Sequence, residues 1–238
     1  MQKRAHITIL MQAGADTTGT ALGSTIRYLL TSPACFSKAR AEIVAAERAG
    51  LLSTPIQYEE TRAHLPYIVA CIKEAGLRLM PPATNLFARV AGKGGALVNG
   101  VFVPEGTEIT SYAYAVQRDP ELFGPDPETF RPERWIECNE AKAAEMEAGM
   151  FVFGAGPRVC LGKDIAMFEM FKLIPEVSLS LLLLFHGRKG WKTFVDQKWR
   201  IQLVRRFEME LVHPGRYVVD GGVAYNKDLL VKLSPRAI

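Results

Sequence analysis

Phe153-Gly-Ala-Gly-Pro-Arg158-Val-Cys160-Leu-Gly162 is the stretch that decides the fold. Three glycines and a proline within ten residues rule out a regular helix or strand. The segment therefore reads as an ordered loop that brings one cysteine to the start of a helix. A thiolate there is stabilised by the positive end of the helix and by free backbone N–H groups, which suits it to metal ligation. Arg158 adds a nearby cation. Taken alone, Cys160 reads first as an ordinary buried cysteine, because free cysteine is among the most buried residue types; its surroundings must decide.

The bulk composition narrows those surroundings. A chain of 238 residues, 48% hydrophobic, has material for one large core or two small ones. Its net charge of +4 arises from interspersed Lys/Arg and Asp/Glu, with no basic block, and makes no case for nucleic acid. The four cysteines, at 35, 71, 138 and 160, form no C-x-x-C pair, which argues against a disulfide framework or a zinc knuckle and fits a reducing compartment. No apolar run is long enough for a signal or a membrane span; Leu179 to Phe185 is far too short.

Working outward, a proline-free run from about Ile7 to Leu30 predicts one long helix closed by Pro33. Ser32-Pro33 opens an amphipathic helix with Ala34, Phe36, Ala39, Ile43 and Ala46 inward and Lys38, Arg40, Glu42 and Glu47 outward, ended by Gly50. A third helix is expected over about Leu65 to Leu79, stopped by Pro81-Pro82. Ala83 to Val103, with Gly94-Gly95 and Asn99-Gly100, predicts short strands and tight turns. Phe123 to Trp135 holds three prolines in thirteen positions and must be an irregular loop. A helix from near Cys160 runs at least to Ile174, and Glu208 to Leu233 is β-like, with turns at His213-Pro214-Gly215 and Asp220-Gly221-Gly222.

The cysteine loop resembles the haem-binding signature of the cytochrome P-450 family, F-x-x-G-x-R-x-C-x-G, matching at Phe153, Gly156, Arg158, Cys160 and Gly162. That resemblance implies Cys160 as the axial thiolate of a haem b iron, Phe153 near the sulfur, Arg158 toward a propionate, and glycines that let backbone approach the porphyrin. Ala13-Gly14-Ala15-Asp16-Thr17-Thr18 is similar to the family's distal-helix stretch [AG]-G-x-[DE]-T-[TS]. By the same resemblance Gly14 permits close approach of the cofactor. Thr17 can turn its hydroxyl toward a preceding carbonyl and, with Asp16, offers a proton relay for oxygen chemistry. Arg89 stands where the family often places a second propionate ligand.

The family also keeps E-x-x-R as a buried ion pair on the proximal side, joined by the arginine of a P-E-R-[FW] segment. Here Glu74 and Arg78 follow E-x-x-x-R, one residue longer, and Pro132-Glu-Arg134-Trp135 supplies the third member. Residues four apart still share a helix face, so the pair stays possible, although the extra residue turns one partner by about 100° in an α-helix.

The resemblance runs from the distal helix to the final hairpin, is nearest to filamentous-fungal members, and implies a mainly α fold with small β-sheets: an incomplete cytochrome P-450 fold in which residues 1–238 are the carboxy-terminal part of the domain. A full member has roughly as many residues again ahead of this point, including a membrane anchor and most of the substrate pocket. The implied function is haem-thiolate monooxygenation of a small apolar organic substrate, with electrons from an NADPH-cytochrome reductase. Such relatives sit on the cytosolic face of the endoplasmic reticulum membrane, whereas this chain alone is expected in the cytoplasm. The alternative is a non-catalytic truncated fragment that binds haem weakly or not at all. Residues 177–202 interrupt the passage from Ile174-Pro175-Glu176 to Leu203-Val-Arg-Arg-Phe207. Val177-Ser178 and Gln202 are encodable as intron ends, so this segment is expected to be a retained intron, with a genuine surface insertion as the alternative.

Overall fold

The computed structural model describes residues 2–84, 88–185, 207–220 and 223–235. The first element is the long helix α1 (Gln2–Thr31). It ends where Pro33 forbids helical geometry to its predecessor: Ser32 sits at φ −126°, ψ 80°. Pro33 then opens α2 (Pro33–Arg48), which closes at Gly50, φ +71°. A short α3 (Tyr58–His64) begins with a capping box between Gln57 and Glu60. Pro66 repeats the device of Pro33 and opens α4 (Pro66–Ile72).

Beyond Ile72 the same helix widens into a π-turn, Lys73–Leu79. Its register is visible in the bond from Met80 N–H to the Ala75 carbonyl, five residues back, at 3.0 Å. The predicted third helix thus exists, but half of it is not α.

Two small antiparallel pairs follow. Strand β1 (Arg89–Val90) pairs with β4 (Glu108–Ile109), and between them β2 (Ala96–Val98) pairs with β3 (Val101–Val103). The β2–β3 turn is Asn99-Gly100, both at positive φ, 48° and 78°, as a two-residue hairpin turn requires. The proline-rich stretch is irregular, flanked by single turns of helix, α5 (Ala113–Val116), α6 (Pro120–Phe123) and α7 (Arg134–Glu137). Helix α8 (Glu140–Ala148) precedes the cysteine loop, and α9 (Lys163–Phe185) follows it.

Strands β5 (Phe207–Asp220) and β6 (Val223–Pro235) form one long hairpin. Its Gly221-Gly222 turn lies outside the described residues, as do 186–202 and Leu203–Arg206. His213-Pro214-Gly215, expected to be a turn, lies within β5 instead. The chain continues past it after a register shift between Leu211 and His213, and the Gly215 N–H donates to His213 Nδ1 at 3.0 Å. The glycine's φ of +65° is taken up by an irregular strand rather than a reversal.

The core lies where α1, α2, α4 and α9 meet, with Ile43, Ile56, Leu65, Ile68, Ile72, Met170 and Ile174 buried. Each such aliphatic side chain contributes about 1.5–3 kcal/mol by leaving water. Two expectations for α2 are corrected. Ala34 is exposed, because it lies in the first turn ahead of the face that meets α4. Glu42 is half-buried, because its carboxylate accepts the Tyr67 and Ile68 N–H groups at 2.7 and 3.0 Å. It caps the start of α4, whose first N–H groups have no partner within the helix. Burial pushes the Glu42 carboxyl above its ordinary pKa, against the pull of those two bonds.

The final hairpin is fastened to the rest of the fold by polar contacts. Thr20 Oγ1 donates to the Ala224 carbonyl at 2.9 Å, and Asn226 Nδ2 to Ser24 Oγ at 3.0 Å. Arg27 Nε donates to the Pro214 carbonyl at 2.6 Å, and the Tyr217 hydroxyl to that of Pro81 at 2.6 Å.

Candidate functional site

Two single turns of 3₁₀ helix, Phe151–Phe153 and Gly156–Arg158, build the cysteine loop. Gly154 and Gly156 between them take φ +71° and +69°, values that side chains disfavour. The loop is closed by a bond from the Cys160 N–H to the Phe153 carbonyl at 2.8 Å. Gly162 then stands just ahead of α9, its carbonyl accepting from Ala166 N–H at 2.9 Å. Cys160 therefore precedes the first helical residue rather than lying in the helix.

Its thiol is exposed, beside Val159 and the 98% exposed Leu161, so the reading of Cys160 as an ordinary buried cysteine is set aside. Cys71 is the buried one, and desolvation pushes its thiol far above the ordinary range. Phe153 is half-buried against the core, with Lys163 Nζ 5.9 Å over its ring. Arg158 is exposed on the same loop.

Five of the sequence-predicted residues, Phe153, Gly156, Arg158, Cys160 and Gly162, are thus brought together on one loop. The others lie on separate elements. Gly14, Asp16 and Thr17 are on α1, which packs against α9 behind the loop. Asp16 is exposed, and Thr17 Oγ1 donates to the Ala13 carbonyl at 2.7 Å, the turned-back hydroxyl expected from the sequence. Arg89 is exposed on β1, its Nη1 3.5 Å from the Ala88 carbonyl. At both Gly14 and Gly156 the place of a Cβ is open, with no atom within 4 Å. An exposed thiol on a rigid loop, with bare backbone facing open space there and on α1, fits a flat macrocycle ligated through sulfur.

The ion-pair cluster joins the π-turn to Arg134 of α7, and the π-turn accounts for its spacing. A π-helix holds more residues per turn than an α-helix, so the extra residue between Glu74 and Arg78 is absorbed in the turn instead of rotating one partner away. Both side chains are fully buried, and Arg78 grips the carboxylate twice, Nε to Oε2 at 2.8 Å and Nη2 to Oε1 at 2.7 Å. Arg134 Nε adds 2.8 Å to Oε1, as expected of the third member.

Three further partners were not legible in the sequence. Trp135 Nε1 donates to Glu74 Oε2 at 2.8 Å, and the Arg131 N–H to Oε1 at 3.1 Å. Asp126 Oδ1 lies 3.3 Å from Arg134 Nη1, giving the Arg134 guanidinium a second counter-ion. The spare donors of Arg78 end on the Gln117, Pro127 and Thr129 carbonyls, and Arg134 also donates to that of Phe123. One residue earlier, Glu133 accepts from Lys38 at 2.5 Å and from the Tyr67 hydroxyl at 2.9 Å. Burial raises the Glu133 pKa, but these bonds outweigh it and hold the carboxyl below its usual range.

The chain is similar to known proteins over much of its length. The Cytochrome P450 family model matches residues 1–186. The cytochrome P450 monooxygenase cicH of Emericella nidulans is 38% identical over 202 residues, covering 84% of this chain and 39% of its own length. Pisatin demethylase of Fusarium vanettenii is 40% identical over 199 residues, 82% of this chain and 37% of that protein. A zebrafish cytochrome P450 structure with progesterone superposes with a TM-score of 0.67 at 26% identity, over 95% of this chain and 44% of that one. The chain spans about two fifths of the length of these fungal relatives. Signature loop, distal-helix stretch, buried Glu-Arg-Arg cluster and overall superposition agree, and the chain belongs to the cytochrome P450 family.

Proposed function

We propose that this chain holds haem b through the Cys160 thiolate and forms the proximal side and oxygen-side helix of a haem-thiolate monooxygenase. The observation that carries the reading is the exposed thiol on a loop fixed by the Cys160–Phe153 backbone bond. Haem, when bound, supplies oxygen activation, and one oxygen atom of O2 enters a small apolar organic substrate with electrons from an NADPH-cytochrome reductase.

The chain's own residues hold and order. Cys160 would donate electron density to the iron through its sulfur, with Phe153 held beside it on the same loop. Gly156, Gly162 and Gly14 let backbone lie close to the cofactor, while Arg158 and Arg89 are the cations for its carboxylates. Thr17 and Asp16 hold and pass protons on the opposite side. Full-length relatives with an amino-terminal anchor would place this chemistry on the cytosolic face of the endoplasmic reticulum membrane; among the described residues no helix is long and apolar enough to cross a membrane.

A second reading, a fragment that binds haem weakly and turns nothing over, is favoured by one observation. Ile7, Ile9, Leu10 and Met11 on α1 are 57–70% exposed, an apolar surface without cover.

One experiment separates the two. The chain is expressed, supplied with haem, reduced, and exposed to carbon monoxide. The red-shifted Soret band of thiolate ligation, lost in Cys160→Ala, supports the first reading. Absence of that band, or its persistence in Cys160→Ala, overturns it for this chain.

A further inference from the structure

Glycine inside a helix is unfavourable relative to alanine, yet Gly76 sits in the middle of the buried π-turn. A Cβ at Gly76 would stand 2.5 Å from the Ala21 carbonyl oxygen and 2.6 Å from Thr25 Oγ1, both on α1. Contacts under 3.0 Å are not formed by real Cβ atoms, and the nearer of the two is backbone, which cannot swing aside. Thr25 cannot easily turn away either, because its hydroxyl donates to that same Ala21 carbonyl at 2.8 Å. Gly76 lies between Glu74 and Arg78, so the residue that touches α1 is carried by the turn that the buried ion pair closes.

We propose that Gly76 is a positioning residue: the π-turn presents its bare Cα to Ala21 and Thr25, and this contact sets how closely α1, with its Gly14-to-Thr18 stretch, lies against the Glu74 cluster. Thr17 is four residues before Ala21, about 6 Å along the helix axis. A displacement at Ala21 is carried to Thr17 almost undiminished, because an unbroken helix moves as a rod. The extra residue in E-x-x-x-R and the glycine then form one device. The longer turn keeps both partners on Glu74's side of the helix and turns a position without a side chain toward α1. The geometry stands apart from the haem reading; only its consequence for the cofactor rests on it.

The test is amide hydrogen exchange on the whole chain, for the parent, Gly76→Ala, and Gly76→Ala combined with Thr25→Ala. The single variant should accelerate exchange at residues 17–25 by about tenfold while leaving α2 and α8 unchanged, since local opening is read segment by segment. The double variant removes the Thr25 hydroxyl but leaves the nearer clash with the Ala21 carbonyl, so it should recover only part of the lost protection. With haem supplied, the thiolate Soret band should weaken in Gly76→Ala and recover in part in the double variant.

Unchanged exchange in Gly76→Ala overturns the proposal. So does acceleration spread equally over all helices, which a merely structural role would give. If Gly76→Ala does not fold, Thr25→Ala alone, which loosens the same contact without adding an atom, takes its place: faster exchange confined to residues 17–25 supports the proposal, and unchanged exchange or acceleration spread over all helices overturns it. A parent chain that takes up no haem refutes the haem reading and leaves the exchange comparison to decide this one.

Discussion

Trp135 donates its indole N–H to Glu74 Oε2 at 2.8 Å, so the residue beside the cluster arginine is itself a member of the cluster. Its ring also packs against Phe123, with centroids 6.2 Å apart. Trp135→Phe keeps most of that packing and deletes the N–H alone. A lost hydrogen bond to a buried carboxylate should cost about 1.5–3 kcal/mol, read as a lower urea midpoint with an unchanged slope.

Removing the carboxylate should cost more. Glu74→Gln takes from the buried Arg78 its carboxylate partner and leaves Arg134 paired with the partly exposed Asp126. Breaking a buried pair of this kind costs about 3–5 kcal/mol, enough to be seen first as loss of soluble protein and then as a lower thermal midpoint. Asp126→Asn should fall well short of that loss in the same melt, because water already reaches Asp126.

Glu133 predicts a pH dependence. Its folded pKa lies below the unfolded one, so its stabilisation is complete above the unfolded value, about 4.3, and is lost as pH falls through the folded one. Thermal midpoints of the parent and Glu133→Gln should differ at neutral pH and converge only once the pH has fallen below the lowered folded value. Glu42 acts in the opposite sense. Its folded pKa is raised, so the fold takes up that proton more readily than the unfolded chain, and acidification through this range favours the fold.

Residues 177–202 give a prediction of another kind. Helix α9 runs on through Val177–Phe185, and 186–202 lie outside the described residues. We propose that the segment is a retained intron, so transcript reads across the site should include a spliced class that joins Glu176 to Leu203. Reads that always contain the segment overturn this and leave a genuine insertion.

What the sequence made legible follows from how the constraints are written in it. Prolines 33 and 81 and the Asn99-Gly100 turn fix element boundaries through local backbone sterics, and these were readable within a residue or two. Cys160, Arg158 and Phe153 were readable because a ligand loop is contiguous. The π-turn was not, because its cause is tertiary: only burial of both Glu74 and Arg78 against a fixed Arg134 forces an extra residue to be absorbed in the helix. For the same reason Glu42 looked like a solvated charge on α2. Its partners, two N–H groups at the start of α4, are identified by neither spacing nor residue type. His213-Pro214-Gly215 misled because turn chemistry inside a long strand gives a bulge when both flanks remain paired.

Glu133, Arg134 and Trp135 are consecutive, and each is tied to a different place: Lys38 and Tyr67, Glu74 with Asp126, and Glu74's other oxygen. Opposite them, the turn that carries Glu74 and Arg78 holds one residue more than the spacing the family resemblance implies, and loses none of its bonds. Chain length is therefore negotiable on one side of the cluster and not on the other. A residue gained or lost between Lys73 and Leu79 is taken up as slack in a helix, whereas one gained between Pro132 and Trp135 would unseat three side chains at once. Indels surviving in this region should accumulate on the helical side alone.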